Sequence, residues 1–117
     1  MRIAILLPLL LVAAGQAYAH AQLRHADPAV GSTVHAPPAQ VELTFSEAVE
    51  PRFSSISVTD AAGTAVTRGD PHLPADDAHR LAVGLGPIGP GRYKVVWHAT
   101  SVDTHKTEGV FEFTVAP

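Results

Sequence analysis

Apolar and polar residues alternate along this chain in short runs, and proline and glycine cut the runs apart. Val41-Glu42-Leu43-Thr44-Phe45-Ser46 alternates without a fault, the pattern of a strand with one face buried and one wet. Ser55 to Thr59 repeats it, and Asp60-Ala61-Ala62-Gly63 is a turn into a short strand around Thr64 to Thr67. Ala21 to Ala26 predicts a first strand, ended by the turn-forming stretch Asp27-Pro28-Ala29-Val30-Gly31. Arg68 to Ala78 has no period and is rich in Asp, Pro and His, so a surface loop is expected there. Arg80 to Leu85 resumes the alternation, with Leu81, Val83 and Leu85 on one face. A long strand follows over Arg92 to Ala99, with Tyr93, Val95 and Trp97 inward and Lys94, Val96 and His98 outward. Val110 to Val115 makes the last, with Phe111, Phe113 and Val115 facing in. Seven short strands near ten-residue spacing, with no credible helix, predict an all-β fold, either a two-sheet sandwich or a Greek-key barrel.

The first nineteen residues follow another pattern. Met1-Arg2 is a short positive region, Ile3 to Ala14 is apolar, and Ala17-Tyr18-Ala19 has the small-x-small form that signal peptidase accepts. An uncleaved anchor is the other reading, but a spanning helix needs about 20 apolar residues, and this run breaks at Gly15-Gln16. The expected organisation is therefore a leader over 1–19 and one domain over 20–117, beginning at His20 and exported to the periplasm. A mature chain of 98 residues (117 less 19) is long enough for a single core.

Composition then narrows the chemistry. Loss of Arg2 with the leader takes the eight basic residues to seven against eleven acidic, a net charge near −4 with His neutral. Basic residues are scattered, so a nucleic-acid footprint is not expected. An exported chain without Cys has no disulfide, no thiolate nucleophile and no thiolate ligand. Any metal it holds must be held by nitrogen and oxygen.

Asp103 and His105 stand two residues apart, so in extended backbone both project to one side and can grip one ion. His20 is the best remote candidate to complete the set. As a free N-terminal residue it offers both its α-amine and its Nδ1, which close a six-membered chelate ring. With His105 this makes three nitrogens, and Asp103 adds one oxygen, the tetragonal set that suits Cu(II). The requirement is that the start of the first strand lies next to the loop before the last one. The bland readings are a plain first residue for His20 and a turn cap for Asp103. His25, His35, His72 and His79 are expected to be exposed, with His72 and His79 the pair from which a weak second site would come. His98 faces outward near the start of the metal loop, where the choice lies between support of that loop and plain solvent exposure.

Three separated motifs carry a resemblance: Phe45-Ser46-Glu47 with Val49 and Pro51, Gly91-x-Tyr93-x-Val95-x-Trp97, and Ser101-x-Asp103-x-His105 with Gly109 and Phe111. Together they resemble the CopC family of periplasmic copper-resistance proteins, over the whole of the expected mature chain. The resemblance implies a cupredoxin-like or immunoglobulin-like β-barrel that binds Cu(II) and passes or sequesters it, beside an inner-membrane CopD-type copper transporter. It implies Cu(II) ligands at His20, Asp103 and His105, and an acidic residue at Glu47 that bonds the N-terminal amine or makes a weak axial contact. Some members carry a second, Cu(I) site of Met residues; here Met1 is the only Met and leaves with the leader, so a Cu(II) site alone is expected. The expectation is thus a monomeric, non-enzymatic copper chaperone or buffer. A copper-dependent oxidase with an N-terminal His site, and a metal-free sandwich for assembly or adhesion, are the competing functions.

Overall fold

The computed structural model describes residues 21–117, so the expected leader and His20 lie outside the described residues. Within them the chain forms eight strands: β1 (Leu23–Asp27), β2 (Thr33–Val34), β3 (Gln40–Phe45), β4 (Ser55–Thr59), β5 (Thr67–His72), β6 (Arg80–Leu85), β7 (Gly91–Thr100) and β8 (Lys106–Val115). They make two four-stranded sheets, ordered β1-β3-β6-β5 and β2-β8-β7-β4. All pairings are antiparallel except the short β2–β8 contact. This is the all-β two-sheet arrangement that the alternation implied, and among the described residues no helix is long and apolar enough to cross a membrane.

The alternation works because each strand sends every second side chain between the sheets. Val41, Leu43 and Phe45 from β3 and Leu81, Val83 and Leu85 from β6 meet Val58, Val95, Trp97, Phe111 and Phe113 from the other sheet, all buried. Phe45 meets Trp97 edge to face with ring centroids 5.2 Å apart. Tyr93 stacks on Phe113 at 5.4 Å, and its hydroxyl donates to the Gly89 carbonyl at 2.7 Å, so its polar end is satisfied at the core's rim. Such ring pairs add about 0.5–1.5 kcal/mol each beyond their buried area.

Two stretches differ from the sequence reading. The short strand expected at Thr64 to Thr67 amounts to a single bridge, Thr59 to Ala65. Ladder pairing with β6 starts instead at Thr67 and runs to His72, through residues expected to be loop. This β5 lies at a sheet edge, is mostly exposed, and is interrupted by Gly69 at φ +80° and by Pro71, so no alternation marks it. The eighth strand, β2, has two residues and pairs with Thr114 and Val115 at the far end of the chain, a contact with no local signal. The last strand also begins at Lys106, four residues before the apolar run, because the hairpin with β7 stays paired down to Thr100–Lys106.

Candidate metal centre

The β7–β8 hairpin closes through residues 101–105, and Ser101 is the hub of that turn. Its N–H donates to the His105 carbonyl at 2.9 Å, and the His105 N–H donates back to Ser101 Oγ at 3.2 Å. Its hydroxyl donates to Asp103 Oδ1. Thr104 N–H donates to the Ser101 carbonyl at 2.8 Å, a closure tight enough to hold Thr104 at φ +75°, which β-branched residues seldom adopt. The turn is also tied to the segment after β3: Val102 N–H donates to the Ala48 carbonyl at 3.0 Å, and Glu50 N–H to that of Thr100 at 2.8 Å.

These bonds aim the two expected ligands at each other. His105 Nδ1 lies 3.3 Å from Asp103 Oδ1, with both side chains about half exposed. The Ser101 hydroxyl, and after it the His105 ring, hold the Asp103 carboxyl below the usual carboxylate range. Bonds of about 2.0–2.1 Å to a first-row ion, set at a right angle, need donors about 2.9 Å apart. Asp103 and His105 are thus within a small closing movement of a shared ion, and an imidazole with a carboxylate is a donor set that fits copper.

Further donors have to come from elsewhere. Among the described residues no group of three or more His, Asp or Glu side chains is arranged to hold a metal. Glu47 is half-buried between Ser46 and Ala48, and it is not gathered with Asp103 and His105 into such a group. The expected third ligand, His20, lies outside the described residues, but the chain just after it is fixed. Ala21 is fully buried, and its carbonyl accepts a 2.7 Å hydrogen bond from Thr107 Oγ1, two residues beyond His105. Gln22 N–H donates to Ser46 Oγ, and Ser46 N–H to the Gln22 carbonyl, both at 2.8 Å. The chain therefore enters the sandwich between the start of β8 and the end of β3, as a shared site requires.

The other histidines are dispersed. His79 stands 3.9 Å from Asp77 and more than half exposed; His72 lines an open hollow of about 750 Å³ with Asp70 and Asp76. His98 faces outward and pairs with Glu108. Sequence reasoning quoted Ser101 in its motif without giving it a role, and missed Thr107 and Glu108. Alternation back from Phe111 puts Thr107 on the inward face of β8, and pairing Trp97 with Gly109 would have put His98 opposite Glu108.

Comparison with known proteins identifies the family. The family model of the CopC domain matches residues 23–116. Protein YobA of Escherichia coli is 38% identical over 99 residues, covering 84% of this chain and 80% of that one. The crystal structure of CopC from Methylosinus trichosporium superposes with a TM-score of 0.78 at 37% identity, covering 84% of this chain and 95% of that one. PcoC, a methionine-rich copper resistance protein from Escherichia coli, gives 0.72 at 31% identity, covering 83% and 99%. A sandwich that brings its first strand beside an Asp-x-His turn, matched in sequence and in backbone along almost all its described length, belongs to the CopC family of copper-resistance proteins.

Proposed function

We propose that this protein is a periplasmic Cu(II) carrier or buffer in copper resistance, with one nitrogen–oxygen site at the end of the sandwich where the β7–β8 turn meets the chain start. Copper is its cargo, and it turns over no substrate. His20 supplies the α-amine and Nδ1, His105 the third nitrogen and Asp103 the oxygen, while Glu47 bonds the amine or lies axial. The observation that carries the reading is the Thr107–Ala21 hydrogen bond: His20 is bonded to Ala21, and one Cα–Cα step is about 3.8 Å. A chain cleaved after Ala19 would begin one residue before this anchor, on the strand that follows the Asp103–His105 pair, which supports the reading.

Thioether ligands are what retain Cu(I), and Met1 is the only Met in the sequence. The protein accordingly binds Cu(II) alone and acts as a monomer, releasing reduced copper to an inner-membrane CopD-type transporter.

The test is Cu(II) electron paramagnetic resonance on protein beginning at His20, beside protein with one extra residue ahead of it. A tetragonal signal with nitrogen hyperfine structure, lost or altered on extension, is expected. Identical spectra of loosely held copper from both would remove the N-terminal chelate, and with it this function.

A further inference from the structure

The outer face of the β4-β7-β8 layer carries a second imidazole–carboxylate pair. His98 and Glu108 are direct partners across β7 and β8, and Ser55 is the partner of His98 on β4. The three form one row across three strands, on the face turned away from the core. His98 Nε2 stands 3.2 Å from Glu108 Oε1, and its Nδ1 stands 3.4 Å from Ser55 Oγ. Beside them a hollow of about 280 Å³ is lined by Phe53, Thr100, Lys106 and Thr107 as well as by the pair itself.

We infer that this row is an accessory Cu(II) position, at which His98 Nε2 and Glu108 Oε1 hold the ion and Ser55 fixes the ring. Three observations support it. The separation of 3.2 Å is spanned by an ion with bonds of about 2.0–2.1 Å at an angle of about 100°, so the pair needs little movement to chelate. Without metal, Nε2–H faces the Glu108 carboxylate; an ion that displaces this proton finds Nδ1 already beside Ser55 Oγ at 3.4 Å, the kind of outer contact that orients metal-ligating histidines. Finally, the two side chains are 56% and 76% exposed, so a hydrated ion can reach them and keep water in its remaining positions. At such exposure the bare ion pair is worth little, so a metal that displaces it costs the fold little.

Chemistry also makes the position a weak one. Two protein donors bind less tightly than four, and Lys106 puts a positive charge on the same hollow. Glu108 lies three residues past His105, about 10 Å along the strand, with Thr107 between them. Copper resting there shares no ligand with the centre proposed above, and its binding does not depend on the N-terminal chelate.

The experiment is a Cu(II) titration of protein beginning at His20, followed by calorimetry and paramagnetic resonance, with H98A, E108Q, S55A and H105A alongside. The expected result is two equivalents, the second the weaker. H98A abolishes the second and leaves the first; E108Q weakens it; S55A weakens it by about tenfold. In H105A the tight equivalent goes and the His98-dependent one stays. A single equivalent in the parent, or a second that persists unchanged in H98A, overturns the proposal. A parent that shows only the His98-dependent equivalent would instead overturn the N-terminal centre and keep this one. Unfolding midpoints of H98A and E108Q close to the parent's are expected from the exposure of the pair, so loss of copper in these variants reports on ligands and not on folding.

Discussion

Thr107 Oγ1 donates a 2.7 Å hydrogen bond to the carbonyl of Ala21, joining residues 86 apart in the sequence. Ala21 is fully buried and Thr107 half-buried, so the bond is partly shielded from water. Its effect is to set the place where the chain enters the sandwich from the strand that follows His105. The copper centre proposed above thus depends on a side chain that touches no metal.

Replacing Thr107 with valine keeps the shape and removes the donor. T107V is expected to lose about 1 kcal/mol of stability and about tenfold in Cu(II) affinity, the scale typical of contacts that position metal ligands. Thermal unfolding and competition titration check the two numbers. Reduced stability with unchanged copper affinity would mean that β8 does not position the N-terminal donors.

The contrast between Thr107 and Asp103 shows what the sequence could and could not disclose. Asp103 and His105 are two positions apart, so their meeting is local, but a turn with Thr104 at φ +75°, and not the extended backbone expected from the spacing, is what brings them together. Alternation made β3, β4 and β7 readable, because each buries one face and leaves the other at least partly wet; β6 was readable from Leu81, Val83 and Leu85 although Ala82 on its other face is buried too. The anchoring of Ala21 by Thr107 and the pairing of β2 with the end of β8 join the two ends of the chain, and no periodicity encodes such partners. Edge strand β5 escaped for a different reason: Gly69 and Pro71 break its pattern, and an edge has no second neighbour to demand apolar residues. The expected join through His20, reasoned from its N-terminal chelate and implied again by the family resemblance, lies outside the described residues.

Gly109 is required by packing. It pairs with Trp97 across β7 and β8, and a Cβ added there would stand 2.6 Å from Cζ2 and 2.7 Å from Cε2 of the indole. The ring cannot retreat freely, since its other neighbour is Phe45. G109A is expected to cost about 1–3 kcal/mol, the usual cost of overpacking a core. G89A, where a Cβ meets nothing within 4 Å, should be close to neutral. Trp97 is the only tryptophan in the chain, so a shifted emission maximum in G109A but not G89A would report the displaced ring directly.

Ser101 makes the metal turn. Only 2% exposed, it gives Asp103 its main hydrogen bond and accepts the His105 N–H. S101A leaves that N–H without its acceptor, for an expected loss of about 1–3 kcal/mol. It also returns the Asp103 carboxyl towards its ordinary range, since the hydroxyl is the largest cause of the depression. Carboxyl titration by nuclear magnetic resonance and copper competition test both effects. An Asp103 titration that does not move in S101A would show that the hydroxyl is not what holds the carboxylate.

The depressed Asp103 carboxyl also fixes which groups can make copper binding sensitive to pH. A folded-state value below the unfolded one means that the contribution of Asp103 to stability is complete above the ordinary carboxylate value of about 4, and is lost as pH falls through the lower folded value. Asp103 is therefore ionised throughout the neutral range and takes up no proton there. Imidazole and α-amine groups titrate at about 6.5 and about 7.7–8.0 when unperturbed, and both must lose a proton to bind the ion. Cu(II) affinity should accordingly fall as pH drops from 8 to 6 in the parent protein. D103N should lower affinity by one constant factor across that window without moving the midpoint, and should flatten the acid limb of the stability curve below about pH 4. Affinities measured by competition at several pH values, with unfolding midpoints in acid, decide the matter. A midpoint that shifts in D103N would mean that Asp103 exchanges a proton near neutrality, and the division of roles between the carboxylate and the nitrogen ligands would have to be reversed.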